Sequence, residues 1–247
     1  MRRLRFIILL LLFYSFSYAN GLRILFIGDS ITDGNWGRPR KTGVPSSERN
    51  LLDMNHIYGN GYMYLCAVYY QSKYPDKNYE FFNRGISGNT LDDLEKRWEN
   101  DVISLQPDVL SILIGTNDID KIIKVGGEFD TAEWEQKYRS IIKRAYESNS
   151  NLKLVLGAPF VAKTGKLSSA PDYDKRLNLI CECGKIIEKI ANDYNAVFVS
   201  YYELFNNLQM KSGENSTYWI WDGIHPTPAG QGKMAELWLK CTDELFK

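Results

Sequence analysis

Two short segments near opposite ends of the chain carry residues that could act together in acyl transfer. Gly-Asp-Ser, at residues 28–30, follows an apolar run, and Asp-Gly-Ile-His-Pro occupies residues 222–226. A serine hydroxyl is a weak nucleophile at neutral pH. It needs an imidazole to accept its proton, and the imidazole needs a partner that holds one tautomer. The two segments together contain all three groups.

The scarcity of histidine restricts the choice of base, because the chain contains only His56 and His225. Asp222 precedes His225 by three residues, close enough in a tight turn to hold the ring. We therefore predict Ser30 as nucleophile, His225 as general base and Asp222 as its orienting carboxylate. Asp53 also stands three residues before the other histidine, His56, which is predicted to be a wall residue or a hydrogen-bond donor rather than a second base.

The first 19 residues have the pattern of a secretory leader. Residues 1–5 are basic, residues 6–13 form an unbroken apolar run, and small residues stand at positions 17 and 19. The alternative is a membrane anchor, but the apolar run is shorter than the roughly 20 residues that a bilayer span needs. We expect cleavage after Ala19, a mature domain at 20–247 without stable membrane insertion, and a secreted or periplasmic location.

Composition narrows the class of partner. The formal net charge is zero, and removal of three leader arginines makes the mature protein mildly acidic, so neither nucleic acid nor an acidic membrane surface is indicated as a partner. The length suits one sizeable domain. An export route permits disulfides, but small buried thiols are the favoured interpretation. The four cysteines are Cys66, Cys181, Cys183 and Cys241.

Short apolar runs alternate with longer amphipathic segments along the chain. Strands are predicted at 22–27, 79–82, 109–114, 152–156 and 196–199. Helices are predicted at 62–74, 91–105, 132–148, 174–192 and 229–246. This alternation predicts an α/β fold: a three-layer α/β/α sandwich with a mostly parallel, flavodoxin-like five-stranded sheet.

Polar segments follow the first three predicted strands, at residues 28–30, 83–89 and 115–118. Each could be an ordinary turn, since Gly, Asn, Asp and Ser are the usual turn residues. Ligands of open α/β sheets bind beyond the carboxyl ends of the strands, so the three segments are expected to converge on one rim. The Asp222/His225 segment would join them just before the last helix.

The chain resembles the SGNH/GDSL hydrolase family of serine esterases. It has that family's four blocks in order, at residues 28–34, 83–90, 115–118 and 222–226. The resemblance implies that His225 acts first as general base and then as acid for Ser30. It also implies an oxyanion hole made by the backbone N–H groups of Ser30 and Gly88 and the side-chain amide of Asn117. No metal and no cofactor is implied.

Substrate choice is expected to come from two segments rich in aromatic residues. The segment 35–61 is long and contains Trp36 and His56, and residues 218–221 read Tyr-Trp-Ile-Trp. Loops of this length are usually functional or disordered. We predict that Trp36, His56, Trp219 and Trp221 contact substrate, with core packing as the alternative for the tryptophans.

These features favour an exported esterase that removes acetyl or other small acyl groups from an oligosaccharide or small molecule. A lipase, lysophospholipase or thioesterase on the same triad is the main alternative. A non-catalytic carbohydrate-binding or scaffolding protein is another, and Asp222 with His225 could instead hold a metal, although no further ligand cluster accompanies them. The oligomeric state is left open.

Overall fold

A parallel five-stranded sheet lies at the centre of the computed structural model, which describes residues 21–34, 58–212 and 216–246. The strand order is β2-β1-β3-β4-β5, and every pairing is parallel. The strands are β1 (Arg23–Gly28), β2 (Glu80–Gly85), β3 (Val109–Leu113), β4 (Lys153–Gly157) and β5 (Val197–Val199). The predicted flavodoxin-like fold is confirmed. The predicted leader and the side chains of Trp36 and His56 lie outside the described residues.

The apolar runs form strands because both faces of the sheet are covered. In β1, residues 24–27 have no solvent exposure, and all of β3 is buried. The one polar side chain in β3 has a partner, since Trp238 Nε1 donates a hydrogen bond to Ser111 Oγ at 3.0 Å. Burial on both faces is typical of parallel strands and explains their continuous hydrophobicity.

Two helical layers cover the sheet. One contains α2, α7 and α8, which contact one another, and the other contains α3, α4, α5 and α6. The α-helices of the described residues are α1 (Ser30–Asp33), α2 (Tyr62–Lys73), α3 (Leu91–Trp98), α4 (Thr116–Val125), α5 (Thr131–Ser148), α6 (Tyr173–Asp193), α7 (Tyr201–Ser212) and α8 (Pro228–Thr242). The sandwich therefore has the three layers expected from the sequence.

Several helix boundaries differ from the prediction. Helices α1, α4 and α7 were not predicted. Helix α1 has only four residues, and α4 begins with Thr-Asn-Asp, a sequence that also suits a turn. The predicted helix 91–105 is α-helical only to Trp98 and continues as one π-helical turn, Glu99–Ile103. The last predicted helix, 229–246, ends as an α-helix at Thr242 and continues as a 3₁₀ turn.

All four cysteines lie within the described residues. All four cysteines carry free thiols; Cys66 and Cys183 are buried, and Cys181 and Cys241 are half-buried. Across residues 21–34, 58–212 and 216–246, none of the helices is both long and apolar enough to cross a bilayer.

Candidate active site

The strand register brings the polar segments to one edge of the sheet. Gly28, the last residue of β1, is paired with Gly85 at the end of β2 and with Leu113 at the end of β3. Because these strands are parallel, the segments that follow them leave from the same side. The predicted convergence of residues 28–30, 83–89 and 115–118 is therefore present, and it lies where the connections change direction around β1.

The turn that carries Ser30 is tightly built. Ser30 is the first residue of α1, and Asp29 caps this helix by accepting a hydrogen bond from the backbone N–H of Ile31 at 3.0 Å. A Cβ at Gly28 would lie 2.3 Å from the carbonyl oxygen of Leu113, so only glycine fits there. The chain therefore turns directly after Gly28, where no side chain fits, and this turn places Ser30 at the rim of the sheet.

Asn83 holds this turn against the end of β2. Its Nδ2 donates to the carbonyl oxygens of Thr32, Asp33 and Tyr58 at 2.9, 3.1 and 3.0 Å, and its Oδ1 accepts from the N–H of Gly85 at 2.9 Å. The side chain is almost fully buried, where a lost hydrogen bond is costly. Asn83 therefore supports the position of α1 rather than contacting substrate.

The three predicted reactive side chains meet in one hydrogen-bonded chain. Ser30 Oγ lies 2.8 Å from His225 Nε2, and His225 Nδ1 lies 2.9 Å from Asp222 Oδ2. With the proton on Nδ1, the ring donates to the carboxylate and leaves Nε2 free to accept from the serine hydroxyl. This tautomer is the one that general-base catalysis requires.

Asp222 is built to remain ionised. Its Oδ1 accepts from the backbone N–H groups of Ile224 and His225 at 3.0 and 2.7 Å. Burial alone would raise the pKa of this carboxyl, but the hydrogen bonds from His225 and Ile224 outweigh burial and lower the pKa to about 2. Lys166 Nζ also lies 3.3 Å from Oδ2. A charged Asp222 can therefore stabilise an imidazolium at His225.

The backbone N–H groups of Ser30 and Gly88 are two of the three donors that the family resemblance implies for the oxyanion hole. Gly88 has φ of +83°, a conformation that favours glycine, and an added Cβ would meet nothing within 4 Å. In the described part of the chain, the N–H groups of Gly88 and Ser30 have no protein acceptor. Neither N–H group is thus occupied by another described residue, which is compatible with the role that the resemblance implies.

Asn117 lies at the start of α4, and its amide is already held. Nδ2 donates to the carbonyl oxygen of Asn89 at 3.1 Å and to Asp29 Oδ2 at 3.3 Å. Burial raises the pKa of Asp29 to about 7, against the opposing hydrogen bond from Ile31. The amide therefore has two partners already, and binding of an oxyanion by Asn117 would require one of these two contacts to be given up.

Asp118 connects three helices through one carboxylate oxygen. Its Oδ1 accepts from the backbone N–H of Leu91 and from Trp134 Nε1, both at 3.0 Å. Burial raises the pKa of this carboxyl. Asp118 thereby joins α4 to the start of α3 and to α5, behind the segment that carries Asn117.

The aromatic residues before Asp222 differ in exposure. The Trp221 side chain is 59% exposed, and its ring lies 6.4 Å from that of His225 at an interplanar angle of 28°. Trp219 is half-buried and packs edge-on against Tyr218. Trp221 is thus the predicted contact residue that the structure places beside the reactive groups.

Two supporting residues were not given roles by the sequence patterns: Asn83 and Lys166. Asn83 stands inside a recognised block, but nothing local indicates its three carbonyl partners. Lys166 lies on a 3₁₀ turn, Gly165–Leu167, with no pattern that points to Asp222.

The described residues contain no group of three or more His, Cys, Asp or Glu side chains able to hold a metal ion.

Comparison with known proteins agrees with this geometry. Residues 26–233 match the model of the GDSL-like Lipase/Acylhydrolase family. The chain is 30% identical over 228 residues to an acetylxylan esterase from Geobacillus stearothermophilus, covering 90% of this chain and 94% of the relative. A solved structure of a variant of an acetyl xylan esterase from that organism superposes with a TM-score of 0.71 at 31% identity, covering 90% of this chain and 94% of the other.

A second solved structure supports the same grouping. A candidate GDSL-like lipase from Parabacteroides merdae superposes with a TM-score of 0.77 at 31% identity, covering 91% of this chain and 96% of the other. The family match begins within the first strand and includes the polar segments at the rim and the Asp222/His225 turn. The chain therefore belongs to the GDSL-like lipase/acylhydrolase family and is a carboxylic-ester hydrolase.

Proposed function

We propose that this protein is an exported serine esterase that removes acetyl or other small acyl groups from carbohydrates through an acyl-enzyme intermediate. The observation that carries the proposal is the continuous hydrogen-bonded chain from Ser30 through His225 to Asp222. A nucleophile, a base and an orienting carboxylate in contact form the arrangement that activates a serine for acyl transfer.

In this mechanism Ser30 Oγ attacks the ester carbonyl while His225 Nε2 accepts its proton. Asp222 stabilises the resulting imidazolium, and the N–H groups of Ser30 and Gly88 with the Asn117 amide bind the oxyanion. His225 then donates the proton to the leaving alcohol, and the acyl group stays on Ser30. A water molecule, deprotonated by His225, then attacks the acyl carbon. The bond to Ser30 Oγ breaks, His225 returns the proton to Oγ, and the carboxylic acid leaves.

The carbohydrate part of the proposal has two supports. The relatives at about 30% identity include an acetylxylan esterase. In addition, the exposed indole of Trp221 stands beside His225, where a sugar ring attached to the ester could stack on it.

Substrate profiling tests this proposal against a lipase-like alternative. We expect kcat/KM to be highest for p-nitrophenyl acetate and to fall for the butyrate and octanoate esters, with acetylated xylooligosaccharides also hydrolysed. A preference for octanoate, without activity on the oligosaccharides, would favour the lipase alternative. Incubation of the same oligosaccharides without enzyme provides the control for spontaneous loss of acetate.

Trp221→Ala should separate recognition from chemistry. Loss of the stacking surface is expected to lower kcat/KM on an acetylated xylooligosaccharide by about 3- to 10-fold, as expected for roughly 0.5–1.5 kcal/mol of ring contact. Activity on p-nitrophenyl acetate should change by less than about twofold on the same argument, since that ester has no sugar ring.

Tyr64→Ala is the matched control, because Tyr64 is an exposed aromatic residue on α2, which carries none of the reactive groups. It should leave both activities unchanged. Since Trp221 is mostly exposed, its replacement should also leave the melting temperature unchanged. If Trp221→Ala lowered kcat/KM by the same factor on both substrates, a role of Trp221 in sugar binding would be contradicted.

Export is proposed from the leader pattern of residues 1–19. When the full chain is expressed in a secreting host, N-terminal sequencing of the exported protein should begin at Asn20. Retention of Met1 in the exported protein would contradict cleavage after Ala19.

A further inference from the structure

Arg97, on α3, connects the two backbone segments that carry the proposed oxyanion donors. Its Nε donates to Asn89 Oδ1 at 2.8 Å, and its Nη2 donates to the carbonyl oxygen of Gly28 at 3.2 Å. Asn89 directly follows Gly88, and Gly28 lies two residues before Ser30. One guanidinium group therefore holds the strand end before Ser30 and the turn that contains Gly88.

The third proposed donor is reached through Asn89. The carbonyl oxygen of Asn89 accepts from Asn117 Nδ2 at 3.1 Å, while the Asn89 side chain is bound by Arg97. All three sources of the oxyanion hole thus share a support that leads to the Arg97 side chain.

The Arg97 side chain is itself fixed by buried charge. Its Nη1 donates to Asp101 Oδ2 at 2.6 Å, and the other carboxylate oxygen of Asp101 lies 3.6 Å from Nε of Arg84 on β2. Asp101 is 3% exposed and lies on the π-helical turn after α3. Such turns are frequent at functional sites, and buried ion pairs are weak evidence for stability alone. Their cost points to a geometric role.

We propose that Arg97 is a positioning residue that sets the spacing of the three oxyanion-hole donors, anchored in turn by Asp101. A fork of fixed geometry can hold two acceptors at a defined separation, which a lysine ammonium cannot do. Preorganised donors stabilise charge in the transition state without reorganisation during the reaction, so a small misplacement reduces the rate. This inference rests on the proposed function.

A double-mutant cycle with Arg97→Gln and Asn117→Ala on p-nitrophenyl acetate tests it. Asn117→Ala alone should lower kcat by about 100- to 1000-fold with little change in KM. Arg97→Gln should lower kcat by about 10- to 100-fold, again with KM changed by less than about twofold. If Arg97 acts through the donors, the double variant should lose much less than the product of the two single losses.

Two further variants distinguish positioning from general support. Arg97→Lys keeps a cation opposite Asp101 but not the fork, so it should preserve the melting temperature while kcat remains at least about 5-fold below wild type. Arg139→Gln is the matched control: Arg139 also binds two carboxylates, Glu135 and Asp193, but it lies between α5 and α6. Arg97 binds one carboxylate and two neutral oxygens, so the match lies in the loss of a guanidinium with several hydrogen bonds, and this control should leave kcat unchanged. If Arg97→Gln does not fold, the cycle is run with Arg97→Lys.

Losses that multiply fully in the double variant, or a wild-type kcat for Arg97→Lys, would overturn the positioning role. Failure of the proposed function would look different, because Ser30→Ala would then keep the wild-type rate whatever the outcome of the cycle.

Discussion

Replacing Ser30 with alanine is expected to lower kcat for p-nitrophenyl acetate by at least about 10⁴-fold, since loss of a serine nucleophile removes the covalent route entirely. Ser30 Oγ is the atom in contact with His225 Nε2, so no other hydroxyl is expected to substitute for it. Residual hydrolysis would come from the oxyanion hole and substrate binding alone. Steady-state kinetics over a range of enzyme concentrations measures this loss.

The fold should survive this change, because the hydroxyl lies at the partly exposed rim rather than in the core. An unchanged melting temperature would show this. Ser72→Ala, at an exposed position on α2, is the control and should behave as wild type. An organophosphate should add its mass to the peptide that contains Ser30. Labelling of another serine, or an active Ser30→Ala protein, would exclude Ser30 as the nucleophile.

Asp222→Asn should lower kcat by about 10³- to 10⁴-fold although it removes only a charge. The backbone N–H groups of Ile224 and His225, which now donate to Oδ1, would take the amide oxygen as their acceptor. The NH₂ group of the asparagine would then face His225 Nδ1. The imidazole would then carry its proton on Nε2, directed at Ser30, and could not act as a base. His225→Ala should be at least as damaging.

The pH dependence separates the two histidines. The pKa of Asp222 is lowered to about 2, so its carboxylate stays charged throughout a neutral or mildly acidic assay range. A rise of kcat/KM towards neutral pH should be retained in His56→Ala, which is expected to change KM at most. Any part of the rise that persists in His225→Ala would be assigned to Asp29, because burial raises the pKa of that carboxyl to about 7. If His56→Ala, still folded, lowered kcat more than His225→Ala, the roles of the two histidines would have to be exchanged.

The sequence alone determined the strands and the choice of reactive residues. Predicted strands at 22–27 and 152–156 correspond to Arg23–Gly28 and Lys153–Gly157, because strands buried on both faces are continuous apolar runs that need no further context. With only two histidines in the chain, the base had to be His56 or His225, and the resemblance of residues 222–226 to the last family block selected His225. Helices whose first turns resemble loops, such as α4, were not recognised.

Only the tertiary structure decided which polar groups support the reactive ones and which aromatic residues reach solvent. Ser30 and His225 are 195 residues apart, and Arg97 reaches the carbonyl oxygen of Gly28 across 69 residues. Nothing local distinguishes exposed Trp221 from fully buried Trp238. Periodicity reports the burial pattern within one element, whereas the partner of a side chain depends on how separate elements pack, which local sequence does not encode.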